Sequence, residues 1–400
     1  MSTFLELSLL IALILMAAKL AGYFSVRLGQ PSVLGELLVG ILLGPSVLDL
    51  LHLPFIHHGE HLGATIQELG ELGVLLLMFI AGLELHLDEL TSNTKVSAYA
   101  GIMGVLVPVG LGTLVARAFG LAWDVSLFMG LTLGATSVSI SAQTLMELKQ
   151  LRTRVGLGLL GAAVFDDVMI ILLLSIFLAV FSGSTGIVGI LLIFGQMVFF
   201  LVTAIAFGIY LLPRIVRFNE RLPISQRTLA LGIVVLLFYG IAAEVVGGMA
   251  AITGTFLAGL MFARTPTKER LMQGISALAY GLFVPIFFVS IGLAVNIREM
   301  SIDAVWLTLA VIAVAIFSKL VGSGLGARWA GFSWRESWQM GAGMISRGEV
   351  GLIVANVGIG AGLVSGDEFS AIVGMVLATT IVTPPLLRAL FNREENATAS

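Results

Sequence analysis

The chain has 400 residues, of which 58% are hydrophobic and 11% charged, with a mean hydropathy of +1.06 and a formal net charge of −3. A soluble chain of this length needs far more charge, so the composition places it in a membrane. The small net charge gives no basis for a nucleic-acid partner, and the absence of cysteine excludes disulfides, thiolate metal sites and cysteine nucleophiles.

Thirteen spans fit the hydropathy pattern, at roughly 4–22, 32–51, 66–86, 95–118, 122–146, 154–181, 186–216, 226–245, 248–264, 274–296, 302–327, 336–362 and 367–390. The first lacks a basic leader and a small-residue cleavage site and reads as a retained helix, not a signal peptide. With the N-terminus outside and the C-terminus cytoplasmic, seventeen Lys and Arg fall in cytoplasmic loops and only Arg117 and Arg298 in outer ones. That positive-inside bias supports the odd span count, because losing one helix would scramble the alternation. Only Lys319 and Arg347 are left inside spans.

The chain repeats itself. The second span, PSVLGELLVGILLGP, carries Gly35 and Gly40, and the ninth, AAITGTFLAGLMFA, carries Gly254 and Gly259 at the same step. The third, LLMFIAGLEL, has Phe79, Gly82 and Leu83 where the tenth, PIFFVSIGLAV, has Phe288, Gly292 and Leu293. Six spans duplicated after a single linking span, the seventh, make an inverted repeat, whose binding site is expected near the midplane between helices that break there. Small residues recurring in apolar helices also serve packing alone.

The fifth and twelfth spans are corresponding members of the two copies, and both are interrupted. The fifth, GLTLGATSVSISAQTL, places Thr136, Ser137, Ser139 and Ser141 in mid-membrane, where they either line a cavity or bond back to helix carbonyls. The twelfth, GAGMISRGEVGLIVANVGIG, places Ser346, Arg347 and Glu349 equally deep, either in direct contact with an ion or as a structural ion pair at the break. In the sixth span Asp166 and Asp167 stand side by side within an apolar run from Gly156 to Phe181. Each ionisable group at a bilayer centre costs about 3 kcal/mol on insertion scales, so the pair marks a site for a cation or a proton. Lys319 in the eleventh span completes the set. Counted from Arg154 and Arg328, Asp166 and Lys319 both lie roughly 13–20 Å in from the cytoplasmic face, so they can meet at one depth.

These motifs, together with the closing TTIVTPPL, resemble over nearly all 400 residues a bacterial sodium/proton antiporter of the monovalent cation:proton antiporter-2 family, in the NapA-like branch that includes spore-germination antiporters. The resemblance implies an all-α polytopic fold of 13 helices, two inverted six-helix repeats and crossed broken helices. It implies Asp167 as principal Na+ ligand, Asp166 as second ligand and partner of Lys319, and Thr136, Ser137, Arg347 and Glu349 as supporting residues at the breaks. It further implies exchange of Na+ or Li+ for H+ in the bacterial cytoplasmic membrane without cofactor or enzymatic activity, through an electrogenic, elevator-type motion of a homodimer. The scaffold would be residues 1–94 and 226–300, the moving core 95–182 and 301–391, the linker 183–225 and the cytoplasmic tail 392–400.

A potassium efflux system of the same family usually shows Gln-Asp at the site and carries a cytoplasmic nucleotide-binding domain, whereas this chain has Asp-Asp and ends soon after its last span; K+/H+ exchange remains the alternative. An intramembrane aspartyl protease needs two aspartates converging from separate helices, and neighbours on one helix diverge by about 100°. His52, His57, His58 and His61 read as a solvated outer loop, Glu36, Glu84 and Glu244 as capping or contact residues, and the glycosylation pattern at Asn396 as cytoplasmic and unmodified.

Overall fold

The structure, a computed structural model, describes residues 2–28, 30–54, 56–84, 93–182, 187–293, 302–348, 351, 354–355, 358, 363–364 and 366–398. Every regular element among them is helical. The first repeat holds α1 (Thr3–Arg27), α2 (Ser32–Leu43), α3 (Gly59–Glu84), α4 (Thr94–Ala118), α5 (Trp123–Gly134), α6 (Val138–Glu147) and α7 (Arg154–Ser182). The link is α8 (Ile187–Ala206), a π turn (Phe207–Leu211) and α9 (Leu212–Asn219). The second repeat holds α10 (Arg227–Val245), α11 (Ala251–Phe262), α12 (Lys268–Leu278), a π turn (Ala279–Phe283), α13 (Val284–Leu293), α14 (Ile302–Trp329), α15 (Trp334–Gly343) and α16 (Gly366–Thr398).

Among the described residues, ten helical segments are long and apolar enough to cross a membrane, and α2 and α11 are shorter apolar helices. With α15 they account for the thirteen expected spans. Several ends differ from expectation. The second span stops at Leu43, because Gly44 caps it by donating to the Gly40 carbonyl, Pro45 follows, and Asp49 turns the chain with φ +50° into a 3-10 turn at Leu50–His52. The ninth starts only at Ala251, after Gly248 at φ +59°. At twelve residues each, α2 and α11 rise about 18 Å, well short of a bilayer core of about 30 Å. The third span begins earlier, at Gly59, and the last helix runs on to Thr398.

The helices group into two compact units, one of Met1–Gly70, Thr94–Ile170 and Pro285–Ser400, the other of Glu71–Asn93 and Ile171–Val284. Inside the first, a Cβ on Gly35 of α2 would collide with the Ala21 carbonyl of α1, and one on Gly40 with the Val289 carbonyl of α13. Inside the second, Gly254 of α11 abuts the Tyr239 carbonyl of α10 in the same way, and Gly259 the Phe79 carbonyl of α3. Spans 1, 2 and 10 are thus packed like spans 8, 9 and 3, backbone against backbone at matching glycines. The pattern extends to spans 4 and 5 and to spans 11 and 12: Gly130 of α5 abuts the Val109 carbonyl of α4, and Gly341 of α15 the Leu320 carbonyl of α14. Helices in lipid associate through such close approach, since apolar surface alone gives no preference for protein over acyl chains.

Gly40→Val and Gly259→Val should therefore lower the melting temperature in detergent to a similar extent, each overpacking an interface at a cost of about 1–3 kcal/mol. Gly110→Ala, whose added methyl meets nothing within 4 Å, should melt like the wild type. A large loss at one of the two interface glycines with none at the other would deny their equivalence.

Candidate functional site

The apolar stretch that makes α7 a helix also buries Asp166 in it. On one side α4 comes close, because Gly101 leaves room for Phe165 Cβ and the Ala162 carbonyl, where a side chain would stand 2.7 and 2.8 Å away. On its other flank α4 meets α14 at Gly322, where a Cβ would lie 2.6 Å from the Met103 carbonyl. These small residues bring Lys319 of α14 to Asp166 of α7, with Nζ donating to Oδ1 at 2.9 Å and also to Thr136 Oγ1. Both charged side chains are closed to solvent, at 0% and 1% exposure. The second oxygen, Asp166 Oδ2, is buried with no hydrogen-bond partner among the described residues. Asp167, one residue on and about 100° round the helix, is partly exposed.

Thr136 belongs to the interruption of the fifth span. α5 ends at Gly134, Ala135 to Ser137 run extended, and α6 begins at Val138. The interruption of the twelfth span follows α15, which ends at Gly343. The two are stitched together: Ser137 N donates to the Ser346 carbonyl at 2.9 Å, and Ser141 Oγ to the Gly343 carbonyl at 2.6 Å. Gly348, at φ +37°, fits against Ser137, where a Cβ would lie 2.6 Å from Ser137 Cβ. Each bond satisfies a backbone group that the break would otherwise strand in a dry environment.

Arg347 is fully buried and donates to the carbonyls of Met344, Ile345 and, on α14, Ala315. It serves the orphan carbonyls at the C-terminal end of α15, where a cation is favourable. Glu349 lies outside the described residues. Among the hydroxyls of the fifth span, Thr136 and Ser141 bond to other helices, Ser137 and Ser139 share a hydrogen bond at 2.9 Å, and Thr144 bonds back to the Ile140 carbonyl. The structure therefore brings together Asp166, Lys319 and Thr136, stands Asp167 beside them, and sets Ser137 and Arg347 at the adjoining breaks.

Sequence reasoning passed over Gly104, Ser323 and Glu147. Ser323 sits a helical turn from an intramembrane lysine in the small-residue run VGSGLG, a signal that was available. Glu147, at the end of α6, accepts from Ser32 N at 2.7 Å and Ser32 Oγ at 2.6 Å and so caps the start of α2. Glu36 is buried 4.0 Å from Lys19. The histidines between the second and third spans are less free than expected of a solvated loop: His52 pairs with Asp49 at 2.7 Å, and His58 meets the buried carboxylate of Glu6 at 3.1 Å.

Residues 12–393 match the family described as sodium/hydrogen exchanger, transmembrane. The chain is similar to the Na(+)/H(+)-K(+) antiporter GerN of Bacillus cereus, with 40% identity over 387 residues and 97% of each chain covered. It is also similar to a Na(+)/H(+) antiporter of Enterococcus hirae, with 34% identity, 95% of this chain and 96% of that one. Among solved structures, the sodium proton antiporter MjNhaP1 of Methanocaldococcus jannaschii at pH 8 shares the fold, with a TM-score of 0.66 at 18% identity over 99% of this chain and 98% of that one.

The buried pair makes a stability prediction. Asp166→Asn leaves the Lys319 ammonium without its anion and should destabilise the protein by about 3–5 kcal/mol, read as a lower melting temperature in detergent. Asp166→Asn with Lys319→Gln removes both charges and should recover most of that loss. Equal melting of wild type and single variant would mean that the pair carries no net interaction.

Proposed function

This chain belongs to the sodium/hydrogen exchanger family, and from that premise we propose that it exchanges Na+, or Li+, for H+ across the bacterial cytoplasmic membrane, as a homodimer of the monovalent cation:proton antiporter-2 type in its NapA-like branch. The observation that carries the reading is the fully buried Lys319–Asp166 contact, with one carboxylate oxygen unpartnered among the described residues, placed beside the partly exposed Asp167 at two broken helices. A structural ion pair satisfies its oxygens, whereas a carboxylate oxygen left without a donor in a dry site fits a cation that has shed part of its water.

Asp167 is the principal ligand, Asp166 the second, and Thr136 and Ser137 lend oxygens at the fifth-span break. Sodium and protons compete for the same carboxylates. A site left bare would carry uncompensated charge across a low-dielectric barrier, so only the loaded forms cross and exchange is obligatory. Arg347, with Glu349, holds the break in shape. Spans 4–6 and 11–13 form the moving core, spans 1–3 and 8–10 the scaffold, and the N-terminus faces outward, as the distribution of Lys and Arg supports. The Bacillus cereus relative is named for K+ as well as Na+ and H+, which supports K+ as an additional substrate.

Asp167→Asn should abolish sodium-dependent proton movement in proteoliposomes while the protein stays folded, because an amide holds neither the charge nor a titratable proton. Activity above about a tenth of wild type would overturn the assignment of Asp167. With two protons exchanged per sodium, transport moves one net charge, and an imposed inside-negative potential should bias it by about 2.3 kcal/mol per 100 mV. Lys319→Gln should exchange one for one and ignore the potential. Wild-type gradients indifferent to voltage would make the exchange electroneutral and leave Lys319 a structural role.

A further inference from the structure

Ser323 stands one helical turn beyond Lys319 on α14, and so on the same face. Its hydroxyl is fully buried and makes no hydrogen bond among the described residues. A helical hydroxyl can turn to the carbonyl one turn back, as Thr132 and Thr144 do here, but Ser323, like Ser337 and Thr380, does not. The reason for its placement lies across the interface on α4. A Cβ on Gly104 would overlap Ser323 Oγ and stand 3.6 Å from Lys319 Nζ. Ser323 Oγ and Lys319 Nζ therefore both stand beside the spot where a side chain of residue 104 would begin, a place they share because that residue is glycine. Asp166 Oδ1 and Thr136 Oγ1 already take hydrogen bonds from Nζ.

We propose that Ser323 Oγ is the acceptor that receives the Lys319 ammonium when a cation displaces it from Asp166. The inference rests on the reading above, in which the carboxylates bind the transported cation. An ammonium carries three donors and no acceptor, and leaving Asp166 strands one of them in a site closed to water. A rotation of the lysine side chain along the bare backbone of Gly104 brings that donor to Ser323, while Thr136 supplies a second partner. The hydroxyl is unsatisfied while Lys319 sits on Asp166 and satisfied once it leaves, so its own desolvation cost favours release. Ser323 touches neither carboxylate nor cation in this scheme. It is a positioning residue that sets how readily Lys319 yields Asp166 to sodium.

The test is the sodium dependence of proton movement in proteoliposomes for wild type, Ser323→Ala, Ser323→Thr and Gly104→Ala, with Asp167→Asn as the blank. Ser323→Ala should raise the apparent KM for sodium about three- to tenfold, the worth of one hydrogen bond to a charged group, while the maximal rate stays within about twofold. Ser323→Thr keeps the hydroxyl and should restore the wild-type KM. Gly104→Ala, whose methyl turns the hydroxyl out of the shared space, should copy Ser323→Ala. Because it deletes an unpartnered buried group, Ser323→Ala should also melt at or above the wild-type temperature. The proposal is overturned by an unchanged KM in Ser323→Ala and Gly104→Ala, by a threonine variant as impaired as the alanine one, or by a Ser323→Ala protein that melts clearly below wild type. A wild type without sodium-dependent proton movement would overturn the functional reading itself, a separate and distinguishable result.

Discussion

A helix interrupted inside a bilayer leaves amide and carbonyl groups that lipid cannot satisfy, and each must find a partner in the protein. Two such interruptions sit side by side here, and much of the site follows from how they are satisfied. The Ser137 amide goes to the Ser346 carbonyl, the Ser141 hydroxyl to the Gly343 carbonyl, and the carbonyls after α15 to Arg347. Arginine suits this duty because its planar fork carries five donors and keeps its charge when buried. A further hydrogen bond, from Arg347 to the Ala315 carbonyl, ties the break to α14, the helix that carries Lys319 four residues further on. The backbone problem and the buried Lys319–Asp166 pair thus share one support.

That support explains how a lysine and an aspartate can be fully buried together without locking. Burying two charges is expensive, and their mutual attraction repays the cost only when the remaining lone pairs and protons are also satisfied. Here they are satisfied incompletely: Asp166 Oδ2 is buried without a partner among the described residues. A pair that is close but not saturated is poised for exchange of one partner for another, and its neighbour Asp167 is open enough to be reached.

Glycine is the device that makes the geometry possible in both copies of the repeat. Where α2 crosses α1 and α13, and where α11 crosses α10 and α3, matching glycines let main chains touch. The same chemistry recurs between α4 and its neighbours α5, α7 and α14, and there it determines which polar groups meet. A methyl at residue 101 or 322 would hold α4 off the helices that carry Asp166 and Lys319. The price of this arrangement is intolerance of side chains at a handful of positions.

Membrane residence, the thirteen spans, the duplication and both interruptions were legible from the chain alone, because hydropathy, glycine spacing and polar residues in apolar runs are local signals. The common depth of Asp166 and Lys319 was also countable, since a helix advances a constant rise per residue. The ends of α2 and α11 were misjudged where apolar residues continue past the point at which Gly44 and Gly248 end or delay the helix. Only the tertiary structure decided that Lys319 also reaches Thr136, that Arg347 serves carbonyls at its own break and on α14, that Glu147 caps α2, and that Ser323 stands beside Gly104 with no partner among the described residues. Those pairings join residues far apart in the chain, and they depend on which helix faces glycine allows to close, a property of the packed interface and not of any one segment.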